Sequence, residues 1–348
     1  MKIRYLLFLL IVNPLFYTCK KEIQKRNFIS LKIEELKIDS TSIRAIHVLK
    51  DSTLFYATSS GQIGMNFGLN KEHIKSKITY DTVIPHFRSI ASNGQSLFVL
   101  SVGNPALLFK YFDGESKIVY KEEHEKVFYD SMAFFDGQNG IAMGDPTDDC
   151  LSIILTNDGG ENWVKVPCSN LPKTEDGEAA FAASNTNIAI VGSHAWLATG
   201  GNQARVFHSP DMGVSWKVYE TPITQGGKMT GIYSIAFYDS MNGIIFGGNW
   251  EDKNNNIANK AITVDGGKTW KLIADGQEPG YKSCVQYVPD TQGKELFAVG
   301  STGISFSNDG GNSWKEISSE KDYYTIKFVN KNVAWLAGKN KIGKLNLE

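Results

Sequence analysis

The 348 residues carry 36 Lys and Arg against 37 Asp and Glu, a formal net charge of −1, so no global field recruits nucleic acid or anionic lipid. The length allows one large domain or two ordinary ones, with room to bury a core. Aromatic residues make up 11% and glycines number 33. With short apolar runs between turn signals, that mix favours an all-β chain over a helical one.

Residues 1–19 read as an export signal rather than as part of the fold. Lys2 and Arg4 supply the positive start and residues 5–12 the apolar stretch; Phe16-Tyr17-Thr18-Cys19 then looks like a lipobox, with Cys19 acylated. The alternatives are an ordinary signal peptide or a short N-terminal anchor. Each takes the chain out of the cytoplasm, and no later run approaches the ~20 apolar residues of a membrane span. Residues 20–27 follow as a short tether. The expected location is a bacterial cell envelope, on the periplasmic or surface side of a membrane, with the lipid as the only membrane contact.

From residue 28 the pattern is of short strands in repeated units. Residues 28–36 form a strand with no unit of its own. Degenerate units occupy 42–80 and 85–121, the second with an Asp113-Gly114 turn; further units run 128–167, 177–220, 231–274 and 280–318. In the unit 128–167 the strands are 129–135, 140–144, 151–156 and 162–166. The last unit shows only three, at 324–329, 333–338 and 341–347. A missing fourth strand supplied by 28–36 would close a ring and remove an open sheet edge. The expectation is therefore a seven-bladed β-propeller of four-stranded blades over 28–348, closed by an N-terminal strand.

Four of the units carry Ser/Thr-x-Asp-x-Gly-x-x-Trp: Thr156 with Asp158 and Trp163, Ser209 with Asp211 and Trp216, Thr263 with Asp265 and Trp270, and Ser307 with Asp309 and Trp314. The chemistry is that of a tight hairpin. Asp accepts backbone N–H bonds, Gly takes a positive φ, and Trp folds under the turn. These side chains are structural, because a carboxylate spent on its own turn is a poor catalyst. The motif resembles the Asp-box, or BNR, repeat of sialidase- and sortilin-type propellers. Three stretches add detail: Gly140-Ile-Ala-Met-Gly144-Asp-Pro146, Gly177-Glu-Ala-Ala-Phe-Ala-Ala-Ser184, and Ala198-Thr-Gly-Gly201 followed by Ala204-Arg205-Val206-Phe207. With them the chain is similar to the photosystem II stability/assembly-factor-like group. That resemblance implies a docking surface rather than an enzyme.

Each unit opens on a polar residue, a small one and an apolar one: Arg44-Ala-Ile, Arg88-Ser-Ile, Asp130-Ser-Met, Glu178-Ala-Ala, Tyr233-Ser-Ile, Lys282-Ser-Cys and Tyr324-Thr-Ile. On innermost strands these residues would ring the mouth of the central channel. Long loops at 145–150, 193–205 and 248–260 are expected on the same face, where function gathers. One reading is a solvated ring in which Arg44, Arg88 and Lys282 pair with Asp130 and Glu178. The other is a ligand or partner site, with guanidinium groups suited to an anion.

The function these features favour is a non-catalytic binding or assembly scaffold in the envelope, a monomer that holds a protein or glycan partner on this face. The alternative is a sialidase-like or other glycoside hydrolase acting on an anionic sugar, with Glu178, Asp130 and Tyr233 as candidate catalysts and Arg205 as a further cation. The sialidase Arg-Ile-Pro signature is absent. No dinucleotide turn, Cys-x-x-Cys or metal-spaced His cluster is present, so no cofactor and no metal are expected. Setting Leu155 opposite Trp163 also sets Cys150 opposite Cys168, a candidate disulfide at about 4.5 Å between Cα atoms. Cys284 reads as a buried, inert thiol.

Overall fold

The computed structural model describes residues 26, 30–49, 52–68 and 73–347. The export signal, Cys19 and most of the tether lie outside the described residues. No helix among the described residues is long and apolar enough to cross a membrane.

The chain is all-β, and its strands hydrogen-bond into six sheets: four of four strands and two of six. Counted as hydrogen-bonded sheets, the blades number six, not seven, and they are not uniformly four-stranded. The first cause is the strand Leu31–Val48, which is unbroken across the point where the repeat pattern divides the last unit from the first. Its beginning pairs with Val333–Leu347, Leu31 opposite Leu347 and Lys37 opposite Lys341. After a register shift that leaves Ser42 opposite Lys339, its remainder pairs with Leu54–Thr58, Ile46 opposite Tyr56.

The second cause lies in the 177–220 unit. Its innermost strand is Ile188–Val191, paired with His194–Ala198, not a strand beginning at Glu178. Glu178–Ala179 instead pairs with Gly200–Gly201, which joins the next sheet through Gly200 opposite Gly231. The backbones meet so closely there that a Cβ on Gly231 would stand 2.3 Å from the Gly200 Cα, so both positions require glycine. Because His194–Ala198 is a strand, residues 193–205 are not one long loop.

The core lies between sheets. Sheet-to-sheet clusters include Phe98, Tyr129, Met132 and Trp163, and further round Cys284, Phe297, Tyr323 and Leu336. The hairpin turns are built as the motif chemistry requires. Ser209 Oγ donates to Asp211 Oδ1 at 2.9 Å and accepts from Gly213 N, while Ser215 N donates to Asp211 Oδ1. Gly213 has φ +90°. Trp216, Trp270 and Trp314 each donate Nε1 to the carbonyl of the second motif glycine position, Gly213, Gly267 and Gly311. Desolvation works against the Asp158 and Asp265 carboxylates, yet the turn's donors hold both at about 2. These turns also stitch neighbouring sheets: Asn93 Nδ2 donates to Gly159 O, and Trp196 Nε1 to Gly266 O.

Cys150 and Cys168 form a disulfide with Cα atoms 5.5 Å apart. The register that suggested it is off by one, since Leu155 stands opposite Val164 rather than Trp163. The bridge forms beyond the ladder, where Cys150 precedes the strand Ser152–Thr156 and Cys168 opens the 3-10 turn Cys168–Asn170. Leaving the ladder frees both residues from its register. Cys284 is a buried free thiol.

Candidate functional site

The central channel is not an open tube lined by a polar ring. The segment between Ala179 and Ile188 enters it and bonds to inner strands on several sides. Asn185 Oδ1 accepts from Ser89 Oγ at 2.7 Å, Ser131 Oγ at 3.1 Å and Met132 N at 3.1 Å; its Nδ2 donates to Ile90 O at 2.8 Å. Ser184 Oγ donates to Ser283 O, Thr325 Oγ1 donates to Ser184 O, and Thr186 shares a hydroxyl contact with Ser234. Asn185 takes φ +56°, a conformation its short amide side chain tolerates. The small, polar run Ala-Ala-Ser-Asn-Thr-Asn at 182–187 therefore plugs the channel. Its composition was visible in the sequence, but nothing local said that it leaves the blade.

Arg44 and Arg88 grip the plug from above. Arg44 Nη1 donates to Ala183 O at 2.9 Å and Arg88 Nη1 to Ala182 O at 2.8 Å, while Arg88 Nε donates to His86 Nε2 at 2.9 Å. The Arg44 guanidinium lies 3.9 Å from the centroid of the Tyr324 ring, a cation–π contact. Both arginines remain partly open to solvent. Among the described residues neither forms an ion pair, although the Asp130 charge acts on Arg88, and Arg44 Nε is buried without a hydrogen-bond partner. Burial, and then the Arg44 charge, bring the Arg88 guanidinium down to about 10. Burial and then Arg88 bring His86 to about 4, which leaves its ring neutral near pH 7.

The other expected site residues go elsewhere. Tyr233 stacks on Phe181 of the plug with centroids 4.0 Å apart, meets Tyr281 edge-on, and donates its hydroxyl to Met229 O. Asp130 is wholly buried, and neither carboxylate oxygen has a hydrogen-bond partner. Desolvation and then the charge of Asp145 push Asp130 well above the usual carboxylate range. Lys282 turns away from the mouth to Thr302 Oγ1 and Gly303 O, and burial lowers it to about 8. Glu178 and Arg205 pair with each other: Arg205 Nη2 lies 2.5 Å from Glu178 Oε2 and Nε 3.2 Å from Oε1. Thr199 Oγ1 and Glu175 N also donate to Glu178.

The structure thus brings Arg44, Arg88 and Tyr324 together and separates them from Glu178, Arg205 and Lys282. Of the pairing expected between the cations and the carboxylates, Glu178 goes to Arg205 instead, and Asp130 and Arg88 feel each other's charge without forming an ion pair. Of the three candidate catalysts, Glu178 is bound by Arg205, the Tyr233 hydroxyl donates to a carbonyl, and Asp130 is wholly buried. Sequence reasoning missed His86, Tyr281 and the plug's carbonyls. The two side chains flank positions that the unit pattern did single out, whereas backbone carbonyls leave no sequence signal. Beside Glu178 an acidic cleft of about 520 Å³ is lined by Asp145, Asp148, Asp149, Glu175 and Asp176. No group of acidic, His or Cys side chains among the described residues has metal-binding geometry.

No family model matches the chain, and no curated protein matches it. Among solved structures it is similar to "YCF48 bound to D1 peptide", at 12% identity over 90% of this chain and 94% of that one, TM-score 0.64. It is similar too to the RRP9 WD40 repeats, at 12% identity over 92% and 100%, TM-score 0.65. A catalytically inactive virginiamycin B lyase from Staphylococcus aureus with quinupristin gives 13% identity over 92% and 100%, TM-score 0.66. At such identities the likeness is one of fold, and by that fold the chain is a β-propeller.

Proposed function

We propose that this propeller is a non-catalytic binding scaffold, lipid-anchored through Cys19 in a bacterial cell envelope, that receives an anionic group of a protein or glycan partner at the mouth formed by Arg44, Arg88 and Tyr324. One observation carries the reading: two neighbouring, solvent-reachable guanidiniums make no ion pair among the described residues, and the one carboxylate whose charge acts on them, Asp130, is buried and held well above the usual carboxylate range. Holding two like charges together is costly unless a ligand uses them. The plug fixes Nη1 of each arginine, and planar guanidinium forks suit a carboxylate or phosphate. A propeller of similar fold with a peptide bound supports a docking role.

The test is recovery of partners from solubilised membranes with the full chain and with Arg44→Gln/Arg88→Gln. The double variant should lose an anionic partner at least tenfold, the scale of one charge-assisted hydrogen bond. Equal recovery of every partner would remove the mouth from the account. The anchor has its own test: a metabolic fatty-acid label should enter the wild type and not Cys19→Ser.

A further inference from the structure

Directly below the plug the inner strands share a second inward level. Register defines it: each of its residues pairs with the residue one step along the neighbouring strand from the well-packed Tyr56, Val99, Ala142, Leu197, Ile245, Ala298 or Leu336. Four positions at this level are alanines, namely Ala91 opposite Phe98, Ala133 opposite Ile141, Ala189 opposite Trp196 and Ala236 opposite Ile244. The remaining three are polar and sit on consecutive inner strands around the axis. They are Gln286 opposite Phe297, Lys327 opposite Trp335 and His47 opposite Phe55. Four small methyl side chains, packed at the sheet-to-sheet seams, and three long polar ones therefore share this level.

Lys327 is the anomaly. It has no hydrogen bond and no ion pair among the described residues. Its side chain is largely enclosed but not sealed from solvent. Burial lowers Lys327; the Cys284 thiol, from the adjacent inner strand, acts on it, Lys327 in turn acts on its neighbour His47, and no carboxylate is among the groups acting on either. Burial and then the Lys327 charge hold His47 at about 4, so its ring is neutral at pH 7 and keeps one N–H to donate. Gln286 uses one amide proton on Val285 O and keeps the other. A buried ammonium without a counter-charge is expensive, and an anion beside it removes that cost.

We propose that the channel below the plug binds a small inorganic anion, of chloride or bromide size, at the level of Lys327, His47 and Gln286. The ammonium supplies the charge, the imidazole and amide supply neutral donors, and the alanine wall sets the size limit. The plug seals the site from above, with Thr325, two residues before Lys327, bonded to Ser184 O. Larger oxyanions and organic acids are excluded by the same wall.

Thermal unfolding of the full chain at pH 7 tests this in sodium chloride against sodium gluconate at equal ionic strength. The wild type should melt higher in chloride, and Lys327→Gln should melt alike in the two salts. Crystals of the wild type soaked in bromide should show an anomalous peak at hydrogen-bond distance from Lys327 Nζ, a measurement that needs no variant to fold. A bromide there, with the chloride preference lost in Lys327→Gln (or in His47→Gln if the first variant does not fold), sustains the site. An unchanged chloride preference in the variant, or no bromide beside Lys327, overturns it.

Discussion

Arg205 and Glu178 bury their side chains to 6% and 0% exposure in contact with each other. Glu178→Ala strands the guanidinium, with only the exposed Glu175 and Glu220 near it. The expected loss is about 3 kcal/mol in urea unfolding, with no change in partner recovery at the Arg44 mouth. The histidines make a separate prediction. His47, His86 and His208 are all held at about 4, chiefly by burial. A histidine whose folded value lies below its unfolded one near 6.5 takes up protons on unfolding, so its stabilisation is present above pH 6.5 and is lost as pH falls toward 4. Asp145, raised to about 6 by burial, acts in the opposite sense, losing stabilisation as pH rises through that range. Comparing urea midpoints at pH 5 and 7 should therefore show a smaller acid loss in His47→Gln than in the wild type. At this scale the sequence exposed residue types better than roles. Arg44, Arg88 and Tyr324 stand near one another because their spacing follows the inner strands. Glu178 was misplaced because polar-small-apolar also occurs by chance just before the segment that leaves the sheet.

Within single elements, the four motif turns are chemically alike but not equivalent. Trp216, Trp270 and Trp314 complete the turn by donating to a glycine carbonyl, whereas Trp163 Nε1 is buried with no acceptor. Trp163→Phe should thus cost about 1 kcal/mol less than Trp216→Phe, the worth of one hydrogen bond, in parallel urea titrations. The plug is the other element with a sharp expectation. Asn185→Ala leaves Met132 N and Ile90 O unpaired in the interior and places a Cβ-bearing residue without a polar side chain at positive φ. It should lose about 1–3 kcal/mol and loosen Arg44 and Arg88, seen as weaker recovery of the same partners. The turns were legible because their chemistry is local, written into eight consecutive residues. The plug was not, since its acceptors and donors are spread over inner strands far apart in the chain. The Cys150–Cys168 bridge lies between these cases: proximity of the two strands was readable, while the register, Leu155 to Val164, was not.

For the molecule as a whole, closure rests on one strand. Residues 31–37 lie along 341–347 and cover Ile342 and Leu345, both fully buried. Removing residues before Ile38 should lower the melting temperature by several degrees and, by opening a sheet edge, produce dimers in sedimentation. The repeat period made an all-β ring legible. It did not reveal that Leu31–Val48 would run unbroken from one unit to the next, because backbone continuity through a register shift has no side-chain signature. That continuity has a practical corollary. Leu31 faces Leu347 across a single rung of the ladder, so a few added residues could splice the two extremities, and new ends cut in an exposed bottom turn such as 136–139 would leave every sheet intact. A rewired chain of that kind would begin and end on the face opposite the arginines and present them outward from whatever surface it is grafted to.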